Sequence, residues 1–325
     1  MATTNWPTTL QAAIVYFGNP ENALNAAIKL RWNGAPISCP TCGSTQVHFI
    51  STRRIWRCNE VHPQRQFSVK VGTIMEDSPI GLDKWLTAIW LLSSAKNGIS
   101  SCELARSIGV TQKTAWFLLH RIRLIMQAKD GGKLGGEVEA DETFIGGKAR
   151  NMHKAKRDRL GISQSRSMIG KVAVMGLLAR HGDKGSQVRL KVVETRRKHE
   201  LEQTIGEHVT TGATLYTDAL RSYDRMGQRG YVHNVIDHAE AYVDGQIHTN
   251  GLENFWSLLK RAIKGTYVSV EPFHLFRYLD EQAFRFNSRK LTDAERFALV
   301  ASSIVGKRLT FDSLTGHDLP ESCAN

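Results

Sequence analysis

Three acidic residues stand in sequence contexts that suit metal-dependent chemistry. Asp141 lies in G-E-V-E-A-D-E-T-F-I-G-G, near the end of a predicted strand, and Asp218 follows a short predicted strand in L-Y-T-D-A. Glu253 opens a predicted helix in H-T-N-G-L-E-N-F-W-S-L-L-K-R. Carboxylates at strand ends and at a helix start can converge although they are far apart in the chain. One acidic residue is usually a solvated surface charge, so the hypothesis depends on the three as a set.

Such a set of carboxylates suits phosphodiester chemistry. Two Mg²⁺ (or Mn²⁺) ions about 3.5–4 Å apart can activate an attacking oxygen and stabilise the leaving one. Hard oxygen ligands suit Mg²⁺, which keeps several of its waters and bridges to phosphate. The protein needs no nucleophile of its own, because water or a DNA 3′-hydroxyl can attack in line. We therefore expect a two-ion site at Asp141, Asp218 and Glu253.

The segment around Glu253 carries further polar residues at helical spacing. Asn250 precedes Glu253 by three residues, Trp256 follows it by three and Lys260 by seven. If the helix extends that far, all four lie on one face. Lys260 is then expected to contact the DNA backbone beside the metal site.

A second cluster has the spacing of a zinc site. Cys39-Pro40-Thr41-Cys42-Gly43 has the pattern of a zinc-knuckle turn, and Cys58 follows in I-W-R-C. A fourth cysteine is expected at position 61, where the chain has Val61. The next residue, His62, could complete a Cys3His site for one structural Zn²⁺, with His48 as the alternative fourth ligand. The competing interpretation is a group of buried cysteines without a metal.

Residues 100–123 fit a helix-turn-helix. Ala105 is small where the two helices would cross, and Gly109 stands where a sharp turn needs a positive φ. The buried face of the second helix is predicted from its periodic apolar residues Ala115, Leu118, Leu119, Ile122 and Ile125. The polar start of this helix, Thr111, Gln112 and Lys113, would enter a major groove. An ordinary helical hairpin is the alternative.

A basic run follows the first acidic motif closely. Between positions 148 and 171 the chain has one acid, Asp158, and eight basic residues: Lys148, Arg150, Lys154, Lys156, Arg157, Arg159, Arg166 and Lys171. Charge runs are often solvated faces, but this position favours an arm that tracks phosphates. We expect DNA contacts from Lys148, Lys154, Lys156 and Arg157.

The elements that must position these residues follow from periodicity and turn signals. We predict a helix over 19–33, short strands within 37–69, and helices over 83–126 that break at Gly109. Strands are predicted at 137–143, 171–179, 187–194 and 213–217, with a helix over 198–208 and mostly helix after Gly251. This order indicates an α/β domain.

Composition narrows the class of partner. The 325 residues carry a net charge of +12, which favours a polyanion, and nucleic acid is the commonest one. No window approaches the roughly 20 apolar residues of a membrane helix, and the start lacks a secretory pattern. We expect a cytoplasmic protein without a membrane partner. The odd number of cysteines, five, argues against a disulfide framework.

Several of these motifs together resemble one family. The D-E-T-F-I-G-G run, the Y-T-D-A element and the H-T-N-G-L-E-N-F-W-S-L-L-K-R segment with its following G-T-Y resemble bacterial insertion-sequence transposases of the "fifteen-ninety-five" family, with an ISXO-two-like catalytic domain. R-W-x-G, C-P-x-C-G-S, W-R-C and Q-F-S-V-x-V-G-T-I-M-E-D-S resemble its zinc-ribbon region. The similarity runs from about residue 15 to about residue 305.

The resemblance implies a DDE-type mechanism in an α/β ribonuclease-H-like catalytic domain, preceded by a small zinc ribbon and a helix-turn-helix. Asp141, Asp218 and Glu253 match the acidic positions, and Lys260 matches a basic one. Some members use the Asn position, here Asn250, so the third ligand stays open between Asn250 and Glu253. Val61 departs from the four-cysteine ribbon, because it stands where the fourth cysteine is expected.

We therefore expect five segments, a specific activity and, as the resemblance implies, a bacterial, nucleoid-associated location. The segments are an N-terminal helical segment over 1–36, the zinc ribbon over 37–75, the helix-turn-helix over 80–130, the catalytic domain over 137–305 and a tail over 306–325. The expected activity is binding of the terminal inverted repeats of an insertion sequence, metal-dependent cleavage there, and joining of the 3′-ends to target DNA by a homo-oligomer in a synaptic complex. The alternatives are a non-catalytic DNA-binding regulator and a nuclease of the same fold.

Overall fold

The protein divides into two compact units. The computed structural model describes residues 6–127, 132–146, 153–159, 171–182, 185–194, 197–218, 223, 225–236 and 248–317. Unit one contains residues 1–127 and 290–325, and unit two contains residues 128–289. The sequence analysis assigned 290–305 to the catalytic domain, whereas their contacts group them with the N-terminal residues. Apolar packing explains this grouping, because the fully buried Phe297 packs its ring against Phe17 and Trp6.

Along the chain, the elements of unit two lie between two groups of elements that belong to unit one. The helices are α1 (Leu10–Gly18), α2 (Pro20–Trp32), α3 (Leu82–Ser94), α4 (Ser101–Ile108), α5 (Gln112–Met126), α6 (Lys154–Arg159), α7 (Lys198–His208), α8 (Asn250–Ala262), α9 (Leu275–Asn287), α10 (Asp293–Ala301) and α11 (Phe311–Thr315). The strands are β1 (Val47–Ile50), β2 (Ile55–Cys58), β3 (Gln66–Phe67), β4 (Glu137–Gly146), β5 (Lys171–Ala179), β6 (Gln187–Val193), β7 (Thr214–Asp218) and β8 (Val232–Ile236). Among the described residues, no helix combines the length and apolar character that a bilayer crossing requires.

In unit one, β1, β2 and β3 form an antiparallel sheet beside α2. The side chain of Asn19 caps α2 by accepting hydrogen bonds from the amides of Glu21 and Asn22, as its position before Pro20 predicts. Trp56 lies opposite Phe67 in the register and packs edge-on against Trp32 of α2. This aromatic core holds the sheet that carries Cys58.

Helices α4 and α5 meet at the predicted turn. Gly109 ends α4 in the left-handed region at φ 61°, where other residues are strained. Thr111 caps α5 by accepting from the amide of Thr114. The periodic apolar residues predicted to form a buried face are buried. In the same unit, α10 packs against α3.

Unit two is built on a mixed five-stranded sheet of order β6-β5-β4-β7-β8. Strand β5 is antiparallel to β4 and β6, while β7 is parallel to β4 and to β8. The central strand β4 has side chains on both faces. Val138 and Ala140 belong to a core that includes α7, and Ile145 belongs to a second core with α8 and α9. Strand β8 was not predicted.

One predicted position needs correction. Asp141 lies in the middle of β4, not near its end, because antiparallel pairing with β5 continues to Gly146↔Lys171. Pairing with β7 is shorter, and its last register pair is Ala140↔Thr217. Asp141 is therefore at the end of the pairing with β7 although it is inside its own strand.

Candidate functional site

Asp141 and Asp218 occupy matching positions on neighbouring strands. Each follows directly after one member of the last parallel pair, Ala140↔Thr217. Parallel strands bring their carboxyl ends to the same edge of a sheet, which is where ligands bind in open α/β sheets. Both side chains are half-buried. The topology thus brings together two acids that are 77 residues apart in the sequence.

Helix α8 brings Glu253 to the same place. Its buried residues Leu252, Phe255 and Trp256 pack on the sheet, while Glu253 is exposed beside them. The indole Nε1 of Trp256 donates a hydrogen bond of 2.8 Å to Oδ2 of Asp141. Since Trp256 is one turn after Glu253, this bond holds that part of the helix against Asp141.

The pKa of Asp141 depends on its burial and on both other carboxylates. Burial is the largest effect and raises the pKa of the Asp141 carboxyl, and the negative charges of Asp218 and Glu253 raise this pKa further. Hydrogen bonds from the Trp256 indole and from the Glu142 amide act in the opposite direction, but the net pKa is above its ordinary value. A divalent cation would relieve this repulsion, and the hard oxygen donors present fit Mg²⁺ or Mn²⁺.

The remaining candidates on α8 face outward. The helix continues to Ala262, so Lys260 lies two turns beyond Glu253 on the same side, as the sequence predicted. Asn250, Glu253 and Lys260 are exposed, whereas Trp256 is buried. The competing third ligands Asn250 and Glu253 both belong to the first turn of the helix.

A cluster of three cysteines and a histidine forms in unit one. Ligand atoms of Cys39, Cys42, Cys58 and His62 all lie within 4.8 Å of one another. The Cys42 and Cys58 sulfurs are 3.6 Å apart, and Cys39 Sγ is 3.4 Å from His62 Nε2. Tetrahedral zinc with about 2.3 Å bonds to sulfur and about 2.0–2.1 Å bonds to nitrogen needs separations of about 3.5–3.8 Å. The cluster therefore fits zinc, and His48 is not part of it.

The knuckle turn also favours a thiolate. Burial raises the pKa of the Cys39 thiol, but hydrogen bonds from the backbone amides of Cys42 and Thr41, together with those from the Cys42 and Cys58 side chains, lower it to about 7. Zinc binds the thiolate form of cysteine, so these amides prepare the ligand. Val61 is 91% exposed, and the fourth member of the cluster is its neighbour His62.

Comparisons with known proteins find matches over both parts of the chain that contain these residues. Residues 133–287 match the ISXO2-like transposase domain, and residues 18–62 match the transposase zinc-ribbon domain. A transposase-like protein of Haemophilus influenzae is 30% identical over 100 residues, 31% of this chain and 80% of the relative. A protein in the transposable element ISH50 of Halobacterium salinarum is 25% identical over 257 residues, 75% of this chain and 83% of the relative. The chain belongs to the fifteen-ninety-five family of insertion-sequence transposases.

The predicted DNA-contacting residues of unit one lie at the start of α5. Thr111, Gln112 and Lys113 are exposed at the start of α5. The Lys113 ammonium lies 4.6 Å from the ring centre of Phe311 in α11, a contact between distant parts of the chain that the sequence did not suggest. Gln112 donates from Nε2 to the Ser101 hydroxyl across the turn.

The basic run is only partly described. Lys154 is exposed and Arg157 half-buried in α6. Lys148 and the side chain of Lys156 lie outside the described residues.

Two residues of the site escaped the sequence analysis. Trp256 was noted only for its helical face, and Gly176 was not noted at all. Gly176 lies opposite Asp141 in the register, and a Cβ there would be 2.6 Å from the Trp256 ring. The signal was available, because a glycine inside a buried strand often marks the close approach of another group.

Proposed function

We propose that this transposase binds the terminal inverted repeats of its insertion sequence, cleaves DNA there with divalent metal ions, and joins the freed 3′-ends to target DNA. The observation that carries the proposal is the convergence of Asp141, Asp218 and Glu253, two from neighbouring strands and one from the helix packed over them. Burial raises the pKa of the Asp141 carboxyl most, and the negative charges of Asp218 and Glu253 raise it further, a repulsion that a bound cation would relieve.

In the proposed mechanism, the chain supplies the metal ligands and the residues that position those ligands and the DNA. Asp141, Asp218 and Glu253 would hold two Mg²⁺ ions, which when bound activate the attacking oxygen and stabilise the leaving one. Trp256 holds Asp141 in one orientation through its hydrogen bond. Lys260 would contact a phosphate beside the site, and Asn250 would position water or the scissile phosphate. The proposed reaction needs no protein nucleophile, because the attacking group is water or a 3′-hydroxyl.

The sheet supports the finer assignment of fold. Three antiparallel strands, β4 to β6, followed by two parallel strands on the other side of β4, fit a ribonuclease-H-like domain. The residues of unit one support recognition of the DNA ends, and we assign α4 and α5 to a helix-turn-helix. We assign Cys39, Cys42, Cys58 and His62 as ligands of one structural Zn²⁺. Thr111, Gln112 and Lys113 would read the terminal repeat, and Lys148, Lys154, Lys156 and Arg157 would contact phosphates. We expect a homo-oligomer to hold the DNA ends together.

Alanine variants of the acids test the proposal. The probe is a labelled duplex carrying the DNA that flanks this gene on either side, with a supercoiled plasmid as target and Mg²⁺ or Mn²⁺ as the metal. Asp141→Ala and Asp218→Ala should each abolish cleavage and strand transfer but leave duplex binding unchanged, because each removes a metal ligand and no DNA anchor. Glu253→Ala should behave in the same way if Glu253 is the third ligand, and Asn250→Ala tests the competing assignment.

Controls distinguish the alternatives. Glu207→Gln removes an exposed carboxylate from α7, which belongs to the core on the other face of the sheet, and should retain full activity. Strand transfer at the wild-type level by Asp141→Ala or Asp218→Ala would refute the mechanism. Cleavage without joining by the wild-type protein would instead favour a nuclease, and specific binding without cleavage would favour a DNA-binding regulator.

A further inference from the structure

A buried carboxylate lies two residues before Asp141 on the same face of β4. Alternate residues of a strand point to the same face, so Glu139 and Asp141 both face α8. Glu139 is only 1% exposed, which is costly for a charged group unless it has partners. The mechanism described above makes no use of it.

The partners of Glu139 lie at the start of α8 or contact the residues just before it. Its Oε2 accepts a hydrogen bond of 2.8 Å from the backbone amide of Leu252, in the first turn of the helix. Its Oε1 accepts from Arg180 Nε at 2.7 Å and is 3.7 Å from His248 Nδ1. Arg180 also donates to the backbone oxygen of His248, just before the helix. One carboxylate is thus tied to both the helix and the segment that leads into it.

Glu139 takes the place of the missing helix cap. Thr249, the N-cap residue of α8, makes no side-chain capping hydrogen bond in the described structure. The amide of Leu252 is at the third helical position, which an N-cap side chain normally serves. A negative charge is also favourable at the positive end of the helix dipole. Gly251 permits this arrangement, because a Cβ there would be 2.8 Å from Glu139 Oε2.

Two contacts then set the position of the helix along the strand. Leu252 bonds to Glu139, and Trp256, four residues later, bonds to Asp141, two residues later on the strand. Four residues of α-helix rise about 6 Å and two residues of strand about 6.6 Å, so the spacings match. Glu253 lies between the two anchor points. A helix held in this register presents Glu253 to Asp141 and Asp218 in one fixed place.

We propose that Glu139 is a positioning residue that sets the geometry of the metal site through Arg180, Leu252 and the start of α8. The inference rests on the proposed function, because it presumes that the three acids bind metal. Outer partners of metal ligands typically change affinity or activity by about 10–100-fold. A residue that served stability alone would alter the midpoint of unfolding and leave the metal affinity of the folded protein unchanged.

The test measures Mn²⁺ binding by calorimetry to the full-length protein, together with Mn²⁺-dependent cleavage of the flanking-DNA duplex. Glu139→Gln keeps an oxygen for Leu252 but loses the charge that pairs with Arg180, and should raise the Kd for Mn²⁺ by about 10–100-fold. Gly251→Ala keeps every charge but pushes the carboxylate away from the helix, so it should raise the Kd in the same way. It provides the test if Glu139→Gln does not fold. Glu137→Gln is the matched control on β4, since its carboxylate accepts from the Tyr216 hydroxyl and not from α8.

The outcomes separate this inference from the function on which it rests. Folded Glu139→Gln and Gly251→Ala proteins with the Mn²⁺ affinity and cleavage rate of the wild type would overturn the positioning role. Loss of Mn²⁺ binding in Asp141→Asn and Asp218→Asn should accompany the weaker binding in Glu139→Gln. If the two Asn variants bind Mn²⁺ as tightly as the wild type, the carboxylate site itself is wrong, and the proposed function fails with it.

Discussion

The indole of Trp256 and the carboxylate of Asp141 are joined by a hydrogen bond of 2.8 Å, and Gly176 makes room for it on the neighbouring strand. An aromatic side chain on α8 thereby orients an acid on β4 across the core.

Gly176→Ala should displace Trp256. The new Cβ would be 2.6 Å from two ring carbons, and overpacking of this kind costs about 1–3 kcal/mol. We expect a lower free energy of unfolding in urea and reduced cleavage. Gly206→Ala is the control: it is in α7 with open space around its Cβ, and should stabilise the protein by up to about 1 kcal/mol. Equal stability of Gly176→Ala and the wild type would show that the ring moves freely.

Trp256→Phe should shift the pH dependence of metal-dependent cleavage upward. The indole N–H stabilises the Asp141 carboxylate and lowers its pKa, so its removal raises a pKa that is already above the ordinary value. Metal binds the carboxylate form, and protons then compete with metal up to a higher pH. Rates measured across a pH series should fall most at the acidic end and recover as the pH rises. An unshifted profile would exclude a role for this hydrogen bond in the ionisation of Asp141.

Zinc content should depend on His62. The purified protein should carry about one Zn²⁺, as expected for a single tetrahedral site. His62→Ala should lose most of it, whereas Val61→Ala, at a 91% exposed neighbour, should keep it. Elemental analysis and thermal unfolding with and without a chelator provide the measurement. Zinc retained in His62→Ala but lost in His48→Ala would reassign the fourth ligand.

Residues beyond 290 should be required for unit one to fold. Phe297 is fully buried against Phe17 and Trp6, so Phe297→Ala should cost about 3–5 kcal/mol. Leu299→Ala, in the same helix but 51% exposed, should change stability by less than about 0.5 kcal/mol. A fragment of residues 1–130 should unfold cooperatively only when residues 290–325 are joined to it. A stable fragment 1–130 would contradict this dependence.

Lys113 should contribute to DNA binding through charge. If it contacts one phosphate, Lys113→Ala should reduce the slope of log affinity against log salt by about 0.9. Phe311→Ala removes the ring under its ammonium, and should weaken binding of the flanking duplex by about two- to fivefold, the equivalent of an exposed cation–π contact of about 0.5–1 kcal/mol. Filter binding over a salt series measures both. Equal affinities for the flanking duplex and a random one would count against the helix-turn-helix assignment.

Local chemistry made much of this molecule predictable from its sequence. Asn19 and Pro20 start α2, and Gly109 ends α4, because capping and a positive φ depend on a few neighbouring atoms. The Cys39-Pro40-Thr41-Cys42 turn similarly indicates its own metal, since both thiols and the amides that favour thiolate lie within a few residues. The motifs also indicated the family, which the matches to known domains show, while the roles of the three acids stay a prediction.

Tertiary structure alone decided how those acids are held. Asp141 is inside β4 because β5 pairs with it up to Gly146, a partnership between residues that no local pattern specifies. Glu139 reads in the sequence as an ordinary strand acid, yet its burial under α8 makes it the cap of that helix. Residues 290–305 follow the catalytic region in the chain, but Phe297 finds its apolar partners in unit one. The physical reason is common to all three: burial and hydrogen bonding between residues far apart in the chain depend on packing, which periodicity and spacing do not encode.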